Sequence, residues 1–502
     1  MTVDGSISTT RAQSFAVGVD VAFTPYVNGE WLPETSARNQ VIDPATEAVV
    51  AVGCDGDARS VAAAVSAART AFDEGPWGAM TGQARRNHLR RFCTALDSRR
   101  ERIAELVTTE TGALPMMALG FHVGISMDHF AWAVEQADRD WTESVGPVVG
   151  PGTTGSGVVL REPCGVVAAI TPYNFPFFLN LAKIGGALAT GNTVVLKPSP
   201  LTPLEAYIFA EVAQEADLPP GVVNIVSGDV EVSQALTGDP RVDVISFTGS
   251  ERVGGLITAQ AGPNVTRVLL ELGGKSALIV RADADVDAAV SYGVTQVITQ
   301  AGQGCALCTR HLIHRSIYDE FVAKLSGALA SVKTGDPREE GVGMGPLIRE
   351  SQVRKVEGYV DIARDEGAEV LTGGRRTPDR SSGFFYDPTL LAGLDNRSRV
   401  AREEIFGPVA VVMPFEDDAQ AVAMANDSPY GLGGHVYSAD TAVAFAMCRR
   451  IRSGYLAVNG GVGGMHPELP FGGYKRSGLG REYGLEGLRA LQQTKSIAFH
   501  AG

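Results

Sequence analysis

The stretch GVVAAITPYNFPFFLNLAKIGGALATGNTVVLKPS, residues 165–199, decides the fold. A β-branched run, Val166–Ile170, leads into a turn punctuated by Pro172 and Pro176. A helical pattern follows, and a second β-branched run ends at Lys197. This is also the longest apolar region of the chain. Pro172, Asn174 and Pro176 interrupt it, so it does not read as a membrane span. Strand, helix and strand in such close order make a βαβ unit, whose strands are parallel.

The rhythm continues outward. GVVNIVSG (221–228), VDVISFTG (242–249) and RVLLELGG (267–274) add three more β-branched runs with helical segments between them. After residue 275 a second alternating block begins with SALIV, RHLIHRSIYDEFVAKLSGALA and AVVMPFED. Two α/β units follow, with a boundary near residue 272. Upstream, residues 60 to about 140 carry apolar side chains at helical spacing. VGPVVGPGTTGSGVVLREP then reads as a loop and hairpin. The tail LQQTKSIAFHAG is a short alternating segment that could pair with that hairpin, within or between subunits.

Composition narrows the function. The 502 residues are 44% apolar and 20% charged, with a formal net charge of -14. Such an acidic surface repels phosphate backbones and anionic bilayers, so neither nucleic acid nor membrane is an expected partner. Six scattered cysteines make no disulfide framework. The N-terminus, MTVDGSISTTRAQSFAVGVDVAF, lacks the basic and apolar regions of a signal peptide. Disorder over residues 1–15 and a cytoplasmic location are the expectations.

A parallel sheet invites a search for a dinucleotide fingerprint. GPGTTG (150–155) matches the pattern, but no strand leads into it and no helix follows, so it is a decoy. FTGSERVGGLITAQAG (247–262) is the better anion site. Its helix would carry Val253, Leu256 and Ile257 on one face. Gly249 and Ser250 stand at the helix start, where backbone N–H groups can meet a pyrophosphate. Ser250 as an ordinary N-cap fits equally. Lys197 at a strand end is a ribose ligand or a solvated charge.

Chemistry concentrates in AGQGCALCTRHLIH, residues 301–314. Cys305, Cys308, His311 and His314 are too closely spaced for a tetrahedral zinc site, and no metal is expected. RHLIH reads instead as a strand with Leu312 and Ile313 inside and the histidines as bystanders. A lone C-x-x-C outside a thioredoxin-sized domain is weak evidence for a dithiol. Cys305, in the Gly-rich GQGC, suits a single nucleophile. Glu271, an acid at an apolar strand end, suits its base, and the Asn174 amide could donate to an oxyanion.

The motifs TPYNFPF, VVLKPS, FTGS, ELGGKS, GQGC, EEIFGPV, ANDSPYGLGG and PFGGYKRSGLGRE follow one another in a familiar order. Together they resemble the NAD(P)-dependent aldehyde dehydrogenase superfamily from about residue 25 to the end. The resemblance implies a Rossmann-like cofactor domain (16–142 and 163–272) and an α/β catalytic domain (273–470). It further implies an oligomerisation arm (143–162 and 487–502) and a return to the cofactor domain (471–486). It makes Cys305 the nucleophile that forms a thiohemiacetal and then a thioester. Asn174 becomes the oxyanion donor, Glu271 the base for hydrolysis, and Lys183 a lysine near the active site. For the cofactor it implies Lys197 and Ser199 at the adenine ribose and Ser250 at the pyrophosphate. Glu404 and Phe406 would lie at the nicotinamide, with Thr171, Tyr173, Gly249 and Leu272 along the cleft.

Two departures stand out. Tyr173 replaces the usual Trp before the Asn. Pro200 stands where many NAD-selective relatives carry a Glu. NAD is therefore expected first, with NADP possible. An apolar aldehyde is the expected substrate, with Phe121, Met127, Phe130, Trp132, Phe177 and Phe178 as tunnel candidates or core. A homodimer or homotetramer is expected. A CoA-acylating enzyme and a silent structural protein on the same scaffold are the alternatives.

Overall fold

The computed structural model describes residues 22–461 and 466–501; the segment 1–15, expected to be disordered, lies outside them. The five runs of the first block are adjacent parallel strands. Their spatial order is Val223–Ile225, Thr193–Lys197, Val166–Ile170, Val244–Thr248 and Arg267–Glu271. Tyr26–Val27 and Gly478–Leu479 extend this sheet by antiparallel pairing at its two sides. The central strands are buried on both faces. Val167, Ala169, Val194 and Leu196 enter one core, while Ala168, Ile170 and Val195 enter the other. Burial on both faces explains why these runs are continuously apolar rather than alternating. The earliest of the five strands is central, so the winding reverses between Val166–Ile170 and Val244–Thr248. Ligands of open α/β sheets bind beyond the strand carboxyl ends at such a reversal.

The chain leaves this sheet at Glu271 and enters a second one at Ala277. The second sheet is ordered Glu369–Thr372, Thr389–Ala392, Val409–Phe415, Arg310–His314, Ala277–Val280, Gly433–Tyr437 and Tyr455–Val458. All but the first strand are parallel to their neighbours. The segments 272–276, 302–309, 406–408 and 431–432 all enter strands here, so they share the amino edge of this sheet. The carboxyl edge of the first sheet therefore meets the amino edge of the second.

Glu143–Gly150, Thr153–Pro163 and Gln492–Ala501 form a separate three-stranded antiparallel sheet. The GPGTTG string is the turn of this hairpin, with Gly152 at φ +72°. The tail pairs with Thr153–Pro163 of its own chain, in register from Gln492–Pro163 to Ala501–Thr154. Two boundaries of the expected arm shift. The hairpin strand runs on to Pro163. Residues 487–490 belong to the helix Gly484–Ala490, packed on the helix Pro176–Ala189.

Two further expectations are corrected. Leu256 is 58% exposed; Gly254, Ile257 and Ala261 form the buried face of its helix. A Cβ at Gly254 would lie 2.8 Å from Leu272, so the helix approaches the sheet through its glycine and turns Leu256 outward. In Arg310–His314, Leu312 and Ile313 are inside but on opposite faces, and His311 is buried as well. His311 meets the edge of Phe321 and His314 that of Phe415 on the other face, so the strand holds the two imidazoles apart.

Candidate active site

Three loops converge where the two sheet edges meet. Asn174 follows the strand Val166–Ile170, Glu271 ends Arg267–Glu271, and Cys305 precedes Arg310–His314. The Asn174 amide donates to the Gln303 carbonyl at 2.7 Å, which ties the first loop to the third. Glycine is required at two close approaches. A Cβ on Gly274 would lie 2.5 Å from the Cys305 carbonyl, and one on Gly302 would lie 2.1 Å from Gly407. Before Gly302, Gln300 and Ala301 also adopt left-handed φ of +50° and +51°. Such conformations cost non-glycine residues on the order of 1–2 kcal/mol each, so the surrounding packing holds this loop.

Polar atoms of the site are short of hydrogen-bond partners. Glu271 is buried, and its Oε2 has no hydrogen-bond partner among the described residues; nor does the Asn174 Oδ1. Burial, then the charge of Glu482, pushes the Glu271 carboxyl well above the usual carboxylate range, against the pull of Lys183 and Arg481. Burial, then the charges of Glu404 and Glu271, pushes the Cys305 thiol up to about 12. The Cys305 thiol therefore rests protonated near neutral pH and must lose its proton to react, while the Glu271 carboxyl holds a proton more tightly than an ordinary one. Cys308 is fully buried beyond the loop, its N–H bonded to Gln296 at 2.9 Å.

Lys183 lies behind Glu271. Its ammonium bonds the Ser246 hydroxyl at 3.0 Å and the Glu482 carboxylate at 2.5 Å. Glu482 was not singled out from the sequence, although it ends the motif PFGGYKRSGLGRE. It lies 299 residues from its lysine, and no periodicity pairs groups at that distance. Tyr483 was also missed. It is half-buried with its hydroxyl inside, at φ +58°, against the charges of Glu482, Glu271 and Cys305.

The residues expected at the cofactor lie at strand ends of the two sheets. Tyr173 and Phe406 meet edge to face, ring centres 6.1 Å apart. Glu404 accepts from the Gly274 N–H at 3.1 Å, and a Cβ on Gly273 would lie 2.4 Å from its carboxylate. Gly249 donates to the Glu271 carbonyl at 3.0 Å, and Leu272 to that of Ser477 at 2.9 Å. Ser250 is the N-cap of Glu251–Ala261 and accepts from Val253 N–H at 3.4 Å. The Thr171 hydroxyl donates to Asn180 at 2.6 Å, and the Ser199 hydroxyl accepts from Leu201 N–H at 3.2 Å, so both are engaged within the protein. Lys197 is buried at its strand end, where desolvation lowers its ammonium to about 8 despite the nearby charges of Asp55 and Asp229. Those two aspartates, far away in sequence, could not be placed there from motifs. A strand-end crevice with paired rings, a half-buried carboxylate and a buried lysine fits a dinucleotide.

The aromatic candidates divide. Phe177 stacks on Phe209 and Phe130 meets the edge of Phe92, so both are core; Met127 lies in the same core and Trp132 packs against it. By the loop after Asn174, Phe121 stacks on Phe178 and lies tilted against Phe175, with His122 on Phe175 and Tyr483 beside Phe178.

Comparison with known proteins agrees with this geometry. The aldehyde dehydrogenase family profile matches residues 31–497. The chain is 39% identical to 3-succinoylsemialdehyde-pyridine dehydrogenase of Pseudomonas sp, over 95% of this chain and 98% of that protein. It is also 39% identical to geranial dehydrogenase of Castellaniella defragrans, over 94% and 98%. A betaine aldehyde dehydrogenase mutant of Staphylococcus aureus in complex with NAD+ superposes with a TM-score of 0.92 at 34% identity, covering 96% of this chain and 98% of that one. A mutant of aldehyde dehydrogenase C from Pseudomonas syringae, with NAD+ and octanal, gives 0.89 at 38% identity, with the same coverage. Likeness of this extent, in sequence and in structure, settles what the converging loops belong to: the chain is a member of the aldehyde dehydrogenase family, an NAD(P)-dependent enzyme that oxidises aldehydes through a cysteine.

Proposed function

We propose that this enzyme converts an apolar aldehyde to its carboxylic acid through a thiohemiacetal and a thioester on Cys305, hydrolysed by water that Glu271 activates. The carrying observation is the buried Glu271 carboxyl with a free Oε2 at the strand end that faces the Cys305 loop. The Cys305 thiol gives its proton to water and the thiolate attacks the carbonyl carbon. The second Asn174 amide hydrogen, not used on Gln303, and the Cys305 N–H donate to the oxyanion. Tyr173, Glu404 and Phe406 would hold a nicotinamide at this site, which would supply the hydride acceptor. Glu271 then takes a proton from water as it attacks the thioester, and Lys183 with Glu482 offers that proton a route away from the site. Glu271 sets this reading apart from CoA acylation, which needs no water-activating base. Free acid formed without CoA supports hydrolysis; strict dependence on CoA overturns it.

The clustered Phe121, Phe175 and Phe178 beside Asn174 favour an aldehyde with an apolar body. Geranial dehydrogenase and the octanal complex are relatives whose names carry such aldehydes. Rates over a panel from octanal and geranial to a dicarboxylic semialdehyde test this. A preference for the charged member would refute it.

For the cofactor, NAD should be preferred over NADP. Pro200 offers no side-chain acceptor, and its carbonyl is taken by Asn39 at 2.8 Å. A missing ribose hydrogen bond is worth about 0.5–1.5 kcal/mol, which predicts a preference of roughly tenfold. Pro200→Glu should widen it, as measured by kcat/KM with both cofactors. An enzyme already absolute for NAD and unmoved by that substitution would assign the choice to Asp55 and Asp229.

The arm sheet carries Val145, Val148, Val149, Ile497 and Phe499 on exposed positions, Val149 at 79%. It also leaves the Glu143–Gly150 edge unpaired among the described residues. Apolar side chains beside an open strand edge invite another strand, and a second copy of this chain is the occupant that makes a homodimer or homotetramer. Removing residues 492–502 should yield monomer or insoluble protein by light scattering. A fully active, monomeric full-length enzyme would refute the assembly.

A further inference from the structure

We propose that the buried carboxyls of Glu110 and Glu205 share one proton and form a positioning pair that holds the loops of Asn174 and Cys305 in mutual register. The inference rests on the roles assigned above to those two residues.

Both glutamates have 0% exposure. Glu110 lies in the last turn of the helix Arg100–Thr111, and Glu205 in the first turn of Leu204–Glu215. Pro203 precedes the second helix and supplies no side-chain cap; the Leu204 N–H instead donates to Glu110 Oε1 at 2.8 Å. A carboxylate is well placed at a helix N-terminus. Glu205 Oε1 accepts from Asn180 Nδ2 at 2.9 Å, and Asn180 Oδ1 accepts from Thr171 at 2.6 Å. Thr171 stands three residues before Asn174, and Asn180 one helical turn before Lys183.

The far side of the pair reaches the other loop. The Thr111 carbonyl accepts from Gln300 Nε2 at 3.5 Å, the longest link. A Cβ on Gly345 would lie 2.0 Å from the Gly112 carbonyl, so the end of this helix is wedged against the catalytic domain. Gln300 opens the left-handed run before Cys305. Its carbonyl accepts from Gln303 Nε2 at 3.0 Å, and Asn174 closes the circuit on the Gln303 carbonyl.

Because Glu110 Oε1 is bonded to the N–H of Leu204, the residue before Glu205, the two buried carboxyls are neighbours, and each acts on the other. No lysine or arginine is among the groups that act on them. The Oε2 of each finds no donor among the described residues. Two ionised carboxylates in so dry a setting repel strongly, whereas one retained proton lets one acid donate to the other. That proton makes each Oε2 the partner of the other and satisfies both.

A glutamine at 205 would reproduce the arrangement, accepting from Asn180 and donating to Glu110. Glu205→Gln should therefore keep the first-turnover NADH burst within about twofold of wild type. Glu205→Ala orphans the Asn180 amide and should slow the burst about 10–100-fold, the scale of a catalytic group moved by a fraction of an ångström. Infrared spectra at neutral pH should contain a protonated-carboxyl band that Glu205→Gln removes. A folded Glu205→Ala with a wild-type burst, a Glu205→Gln as slow as the alanine variant, or an unchanged infrared spectrum would each overturn the proposal. If the alanine variant does not fold, Thr171→Val, which removes only the hydroxyl, takes its place under the same criterion. Full activity in Asn174→Ala would overturn the oxyanion assignment instead.

Discussion

Cys305→Ser should lower aldehyde oxidation by at least about 10⁴-fold, the scale on which loss of a covalent nucleophile is felt. Cys308→Ser should keep most of the activity and the fold. The two cysteines share a motif but not an environment. Cys305 stands in the loop pinned by Gly274, Gly302 and the Asn174–Gln303 bond. Cys308 is packed among Val290, Val297 and Ile313 in the core below. A hydroxyl at 305 is a far weaker nucleophile and gains nothing from the same base. A hydroxyl at 308 costs only packing and an unsatisfied donor, about 1–3 kcal/mol. Steady-state NADH formation with both variants, beside their melting curves, checks this. Equal loss of activity in two well-folded variants would remove Cys305 from its assigned role.

Glu271→Gln should form the thioester and then release it slowly. An amide cannot take a proton from water, so deacylation should fall roughly 10²–10⁴-fold. Stopped flow should show a burst of NADH near one per active site, followed by a slow steady state. Burial and Glu482 hold the wild-type carboxyl above its ordinary value, so its active, ionised form is lost as pH falls through that raised value. Wild-type turnover should therefore rise with pH across this limb, and the limb should vanish from the steady state of the variant. A slow first turnover in Glu271→Gln would place the residue in thiol activation as well.

Much of this molecule was legible in its chain because strands, turns and close approaches are local. Short β-branched runs announced strands, and their intervening helices required a parallel sheet. The glycines of ELGGKS and GQGC announced tight backbone, and the structure places them where Gly273 meets Glu404 and Gly274 meets Cys305. Asn174, Glu271 and Cys305 each stand at a strand end or in a loop between strands, and the two sheet edges bring the three segments together.

Tertiary structure alone decided the rest, because electrostatics depend on distance in space. Lys183 and Glu482, Lys197 and Asp55, and Glu110 and Glu205 come from separate elements and meet only when the sheets are wound. Their protonation follows from shared burial, which no local pattern contains. Tertiary packing also turned Leu256 outward, sent Phe130 and Phe177 into the core, and committed the Thr171 and Ser199 hydroxyls to neighbours within the protein. The sequence by itself determined the strands and the chemistry-bearing loops, since these answer to backbone sterics and hydrophobic burial over a few residues. Only the tertiary structure decided which charges face one another, since a buried charge is governed by whatever the fold sets within a few ångströms of it.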